Sequence, residues 1–204
     1  MIDRSSIKKA LLEIFSIVLA VLLALGVSEW QEDRRDSKLA AIALENVRTE
    51  LESNRTTLET IHQNNTKTIE AAKLDDESEQ DDEDQKFIPG IQVRSAAWNA
   101  FLSAGISNYV DYDLVVALSN AYAIQGVYKQ TGLSLVEASM SISAMATVQK
   151  VDVDSQSFQD QFMSYFEMIL RMETALLEGY SDVLVLIDEK KENEISEGCS
   201  DGFF

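Results

Sequence analysis

Ala10–Val27, ALLEIFSIVLAVLLALGV, runs without a break into Ser28-Glu29-Trp30 and a charged tract. A helix needs about 20 predominantly apolar residues to cross about 30 Å of hydrocarbon. Ile7–Val27 approaches that length, with Lys8, Lys9 and Glu13 near one end. Residues 10–30 therefore read as a membrane anchor behind a short basic tail, 1–9. Ile14, Leu19, Leu22 and Leu25 supply its lipid-facing surface, and Trp30 closes it as an interfacial aromatic. Glu13 sits about one turn inside the basic end, where a carboxylate can snorkel to the interface or pair with Lys9 at the i, i+4 spacing.

A cleaved signal peptide competes for the same residues. Arg4, Lys8 and Lys9 would be its basic region, Ile14–Leu25 its apolar core and Ala24-Leu25-Gly26 its cleavage site. Continuity favours the anchor, because cleavage needs extended, accessible backbone and no Gly or Pro follows Gly26 until Pro89-Gly90. Basic residues flank both ends, Arg4, Lys8 and Lys9 before and Arg34, Arg35 and Lys38 after, so charge alone leaves the orientation open. The signal-anchor character of the segment predicts a cytoplasmic N-terminus and a translocated, periplasmic main domain.

From Ser37 to Ala72 apolar positions recur at heptad spacing: Ala40, Leu44, Val47, Leu51, Leu58 and Ile61. Asn54 and Asn65 fall on the same seam, and Thr68 and Ala72 end it. An a/d stripe of this kind marks a helix packed on other helices, and a buried Asn within it sets register and oligomer state at a cost in stability. A stalk helix over 31–74 is expected, with Leu44, Val47, Leu51, Leu58 and Ile61 as its packing residues and self-association as its consequence. Joined to the span it gives about 70 residues, a rod of about 100 Å at 1.5 Å per residue, carrying the domain clear of the bilayer. His62, one position past Ile61, reads as a solvated helical histidine.

Asp75–Asp84, DDESEQDDED, holds eight carboxylates in ten residues and precedes Pro89-Gly90. That charge density opposes packing, and 75–92 reads as an acidic linker. The run lacks the alternating ligands and turn glycine of an EF-hand loop. Asp152-Val153-Asp154 begins such a loop and then fails at Ser157 and Met163.

Residues 93–192 carry helical patterns only. Ser95 is placed to cap a helix over Ala96–Ala104 with Trp98, Phe101 and Leu102 on one face, and Gly105 is placed to stop it. Asp111 or Asp113 begins the next, bearing Leu114, Val115, Leu118, Tyr122, Leu135, Val136 and Met140, with Gly126 and Gly132 expected to weaken it. A last helix starts near Asp154 or Ser155 and aligns Phe158, Phe162, Tyr165, Ile169, Met172, Leu176, Val183 and Ile187. Residues 193–204 read as a flexible tail holding the single Cys199. The fold class is all-α: a transmembrane helix continuing into a coiled-coil-like stalk, packed with an antiparallel helical bundle.

Composition narrows the chemistry. With 35 acidic against 17 basic residues and a net charge of -18, the chain lacks the clustered cations that nucleic-acid binding requires. One Cys and one His cannot assemble a His/Cys zinc site within one chain. No nucleophile-elbow, phosphate-loop or zinc-protease motif occurs, so no catalytic residue, metal or cofactor is assigned.

Glu13-Ile14, the apolar run to Leu23-Ala24-Leu25, and Trp30-Gln31-Glu32-Asp33-Arg34 resemble an uncharacterised bacterial family of single-pass membrane proteins. That family carries E-I, an apolar run, A-L-Q and then W-N-E-x-R. Gly26 stands here for its Gln and Gln31 for its Asn. Ala97-Trp98, Asp113-Leu114 and Tyr122 are similar to its later helices. The family has no assigned activity, so the resemblance implies a bacterial inner-membrane helical protein and carries over no site residue. The expected role is a non-enzymatic scaffold or interaction component, with the bilayer and either a second copy or another membrane or periplasmic protein as partners. The alternative is a sensory bundle binding a ligand in a pocket lined by Trp98, Tyr122 or Phe162.

Overall fold

The computed structural model describes residues 4–73, 92–149 and 156–200, with side chains over 13–73, 92–141 and 163–192. Four α-helices and one 3-10 turn make up the described chain: α1 (Arg4–Lys73), α2 (Ala96–Ser103), η1 (Ser107–Tyr109), α3 (Tyr112–Gln149) and α4 (Gln156–Ser200). The acidic run 75–84, Pro89-Gly90 and Asp152–Asp154 lie outside the described residues.

α1 is a single helix of 70 residues, about 105 Å long at 1.5 Å per residue. Its described apolar run is bare: Ile14, Leu19, Leu22, Leu25 and Trp30 are all exposed. Trp30 carries the Arg34 guanidinium over its ring at 4.5 Å. From Ala40 onward the same helix turns a buried seam inward. Val47, Leu51 and Leu58 are fully buried, Ala40 and Ile61 nearly so, and Leu44 is half-buried against them.

That seam packs on α4 of its own chain. Arg48 bonds Asp188, His62 meets Glu173 and Lys73 bonds Glu167, so α4 runs antiparallel to α1. α3 also packs on α4, with Lys190 bonding Asp111 near one end and Tyr165 bonding the Thr131 carbonyl further along. Thus α1 and α3 are parallel and α4 lies between them in the opposite sense. α2 wedges against α1, burying Trp98 and Phe101.

The expected stalk helix is packed with the bundle along its length and does not stand apart from it. Residues 40–73 form one wall of the bundle, because burying the seam against α4 removes its apolar surface from water within one chain. The seam also ends on Ile69, with Thr68 only half-buried. A straight helix of 3.6 residues per turn drifts off a strict seven-residue repeat and brings the next position inward.

Helix ends follow local chemistry with two exceptions. Asp111 caps α3, its Oδ1 accepting the backbone N–H groups of Asp113 (3.0 Å) and Leu114 (3.2 Å). Gly105, at φ 67°, ends α2 in the left-handed conformation that costs glycine nothing. Ser95, in contrast, makes no side-chain cap bond. The expected flexible tail is helical through Ser200, since Lys190–Glu194 are mostly strong helix formers with no breaker before Gly198. α3 likewise continues through Gly126 and Gly132, held by packing on α4 that outweighs about 1 kcal/mol per glycine.

Leu51→Ala and Leu58→Ala are each expected to lower unfolding stability by about 2–5 kcal/mol, the cost of a buried cavity. Denaturant titrations should give the same loss at every protein concentration. A midpoint that climbs with concentration would put the seam between copies instead.

Candidate functional site

The heptad seam brings Glu50, Asn54, His62 and Asn65 of α1 to the side facing α2, α3 and α4. Three polar layers result, stacked along the bundle axis between apolar ones.

In the first, Glu50 reaches across to the N-terminus of α2. Its Oε2 accepts the Ala97 backbone N–H (2.9 Å), and its Oε1 accepts the Trp98 N–H (3.4 Å) and the Tyr122 hydroxyl (2.8 Å). The carboxylate does the work left undone by Ser95 and meets the positive end of the α2 dipole. Directly below it the Trp98 ring stacks on Tyr122 (5.2 Å, 4°) and on Phe101 (5.4 Å, 16°). The two rings proposed to line a ligand pocket therefore fill the space against each other. Phe162 lies outside the described side chains.

The second layer clips the backbone just ahead of α2. The Asn54 side-chain amide donates to the Arg94 carbonyl (2.7 Å) and accepts the Arg94 N–H (2.8 Å), as a neighbouring strand would. Gln125 of α3 donates to the same carbonyl (2.8 Å), and its Oε1 receives Asn54 Nδ2 (3.3 Å) and the Tyr180 hydroxyl (2.5 Å). One peptide group thus ties α1 to α3, and through Tyr180 to α4.

The third layer centres on Glu173 of α4, which has no solvent exposure. Its Oε1 accepts Tyr128 Oη (2.9 Å) and Asn65 Nδ2 (2.8 Å), and its Oε2 lies 3.0 Å from His62 Nδ1. His62 is therefore not the solvated histidine expected from its place beside the seam. Its side chain is 29% exposed and its ring closes the water side of a buried carboxylate. A histidine one residue off an a/d seam sits at its edge, where an imidazole reaches inward when the partner helix offers an acceptor. That acceptor is 111 residues away, and no local signal announces it.

Among the described side chains no buried polar atom lacks a partner. Burial, foremost, pushes the hydroxyls of Tyr122, Tyr128 and Tyr180 above the ordinary tyrosine range. Glu50 beside Tyr122 and Tyr180, and Glu173 beside Tyr128, push the same way. All three are held as protonated donors. Their function is to satisfy buried acceptors and thereby fix the rotation and register of three helices.

Between α1 and α4 runs an open groove of about 490 Å³, lined in part by Arg48, Glu52, Arg55, Glu59 and Asp188. Its cations are already engaged. Arg48 bonds Asp188 (3.0 Å) and Glu52 (3.0 Å), and Arg55 bonds Glu59 (3.0 Å). No group of three or more metal-ligating side chains occurs among the described residues.

Ile14, Leu19, Leu22, Leu25 and Trp30, expected to form an anchor, are all exposed. Val47, Leu51, Leu58 and Ile61, with Leu44 beside them, line the core around the polar layers. Sequence reading missed Glu50, Gln125, Glu173 and Tyr180, whose partners lie on other elements. In comparison with known proteins, no family model, curated protein or solved structure matches the chain.

Glu173→Ala is expected to cost about 3–5 kcal/mol, because it strands buried donors and leaves a cavity. Tyr128→Phe should cost about 1–2 kcal/mol, one hydrogen bond on the same carboxylate. The tyrosines bind their protons more tightly folded than unfolded, so their contribution is complete below the ordinary value of 10.0 and declines as pH rises above it. Thermal melts should show stability falling above that pH, and less steeply in Tyr128→Phe. An unchanged slope would contradict the buried-donor assignment.

Proposed function

We propose that this chain is a single-pass bacterial inner-membrane protein that presents a rigid helical bundle as a non-enzymatic scaffold or interaction component. The observation that carries this reading is the exposure of α1. An 18-residue apolar window near its start has none of its residues buried, while the same helix builds the bundle core from Ala40 onward. So large a bare apolar surface is untenable in water and natural in hydrocarbon. The resemblance of the Glu13-Ile14 to Arg34 segment to a single-pass membrane family supports the same assignment. The N-terminus is then cytoplasmic and the bundle periplasmic.

The scaffold role rests on α3. This helix of 38 residues carries only Asp113, Lys129 and Glu137 as charges, in a chain that is one-quarter charged. Val116, Ile124 and Val127 recur along one exposed side of it. A helix apolar on more than its core face is suited to a second packing partner, either another copy or another membrane or periplasmic protein. Since α4 already occupies the α1 seam, self-association falls to this face or to the span.

Full-length protein should stay with membranes through carbonate extraction, while a chain beginning at Ser37 should be soluble and helical. A photo-crosslinker at Val127 should yield a discrete adduct in native membranes, and one at exposed Glu178 should not. Release of the full-length chain by carbonate would contradict the anchor. Equal labelling at both positions would contradict the interaction face.

A further inference from the structure

The geometry points to a second contact with the bilayer: the turn from the end of α2 through η1, residues 102–110, is an interfacial foot on which the bundle rests against the membrane that α1 enters. This rests on reading α1 as the anchor. The deciding observation is the hydrogen bond from Tyr109 Oη to Asp33 Oδ1 (3.1 Å), which ties η1 to α1. Asp33 is three residues beyond Trp30, or about 4.5 Å of helix rise. The polar headgroup layer outside the hydrocarbon is itself about 5–8 Å deep on each face. A span ending near Trp30 therefore sets the Tyr109 hydroxyl at headgroup depth, where tyrosine and tryptophan concentrate in membrane proteins.

Two features of the segment suit it to that place. Residues 95–110, SAAWNAFLSAGISNYV, contain no charge in a chain of net charge -18. An acidic protein is repelled by anionic lipid, so an uncharged stretch at its membrane end permits close approach. The first charge after it, Asp111, is bonded to Lys190 at 2.9 Å. The segment also leaves apolar and aromatic surface uncovered, with Leu102 and Tyr109 both exposed. Their neighbours Phe101 and Ile106 are buried and hold the turn rigid. Tyrosine with its ring toward acyl chains and its hydroxyl toward water is at its energetic optimum in this layer.

The test uses full-length protein with Cys199→Ser in proteoliposomes of phosphatidylethanolamine and phosphatidylglycerol. Single spin labels are placed at Leu22→Cys, Asn108→Cys and Thr174→Cys, and collision rates with oxygen and with a water-soluble nickel chelate are measured. The label at Leu22 should report hydrocarbon and the label at Thr174 bulk water. At Asn108 the nickel collision rate should fall several-fold below that at Thr174. Nickel accessibility at Asn108 equal to that at Thr174, with Leu22 deep, overturns the foot and leaves the anchor standing. An aqueous Leu22 overturns both.

Discussion

One helix here carries two kinds of surface. Residues 14–27 of α1 are exposed on every side and almost wholly apolar, and from Ala40 onward the same helix turns a single apolar seam into a bundle. No glycine or proline separates them after Gly26. The rotation of the apolar run and the rotation of the seam in the bundle are thereby one variable. Everything else in the fold is arranged around the seam that α1 turns inward.

The polar layers convert that seam from a sticky stripe into a specified one. An apolar seam alone tolerates sliding by a turn, whereas Glu50 fits only the α2 N-terminus, Asn54 only the Arg94 peptide, and Asn65 with His62 only Glu173. Each mismatched register would bury an unpaired amide or carboxylate, which costs far more than a lost methyl contact. The same layers explain how α1 and α3, which are parallel, cooperate through α4 and the backbone of Arg94. Tyr180 and Tyr128 bridge α3 and α4, and Arg94 bridges α1 and α3.

The sequence carries this architecture unevenly, for physical reasons. Period is local, so the Ala40–Ile61 seam and the α4 stripe at Ile169, Leu176, Val183 and Ile187 could both be read from spacing, as the helix over the N-terminal apolar run could from its length and composition. Asn54 and Asn65 stood out as polar residues on an apolar seam and are indeed buried. What covers a seam is not local: the heptad pattern fits a second copy as well as α4, and only the fold distinguishes them. Glu50 looked like any surface glutamate because its partners are backbone N–H groups 47 and 48 residues away. Ser95 looked like a cap because capping chemistry is local, and it lost that role to a charged acceptor from another helix. α3 was the hardest element to orient, since a helix apolar on two sides has no dominant face to read.

The account depends most on α1 being one rigid element from its exposed apolar run to the bundle. Amide hydrogen exchange of the full-length protein in lipid nanodiscs tests this at the junction, residues 28–40. Slow exchange there, continuous with the protection of the span and of the Val47–Ile61 core, is the predicted result. Fast exchange across 28–40 between two protected flanks would reveal a hinge and contradict the account.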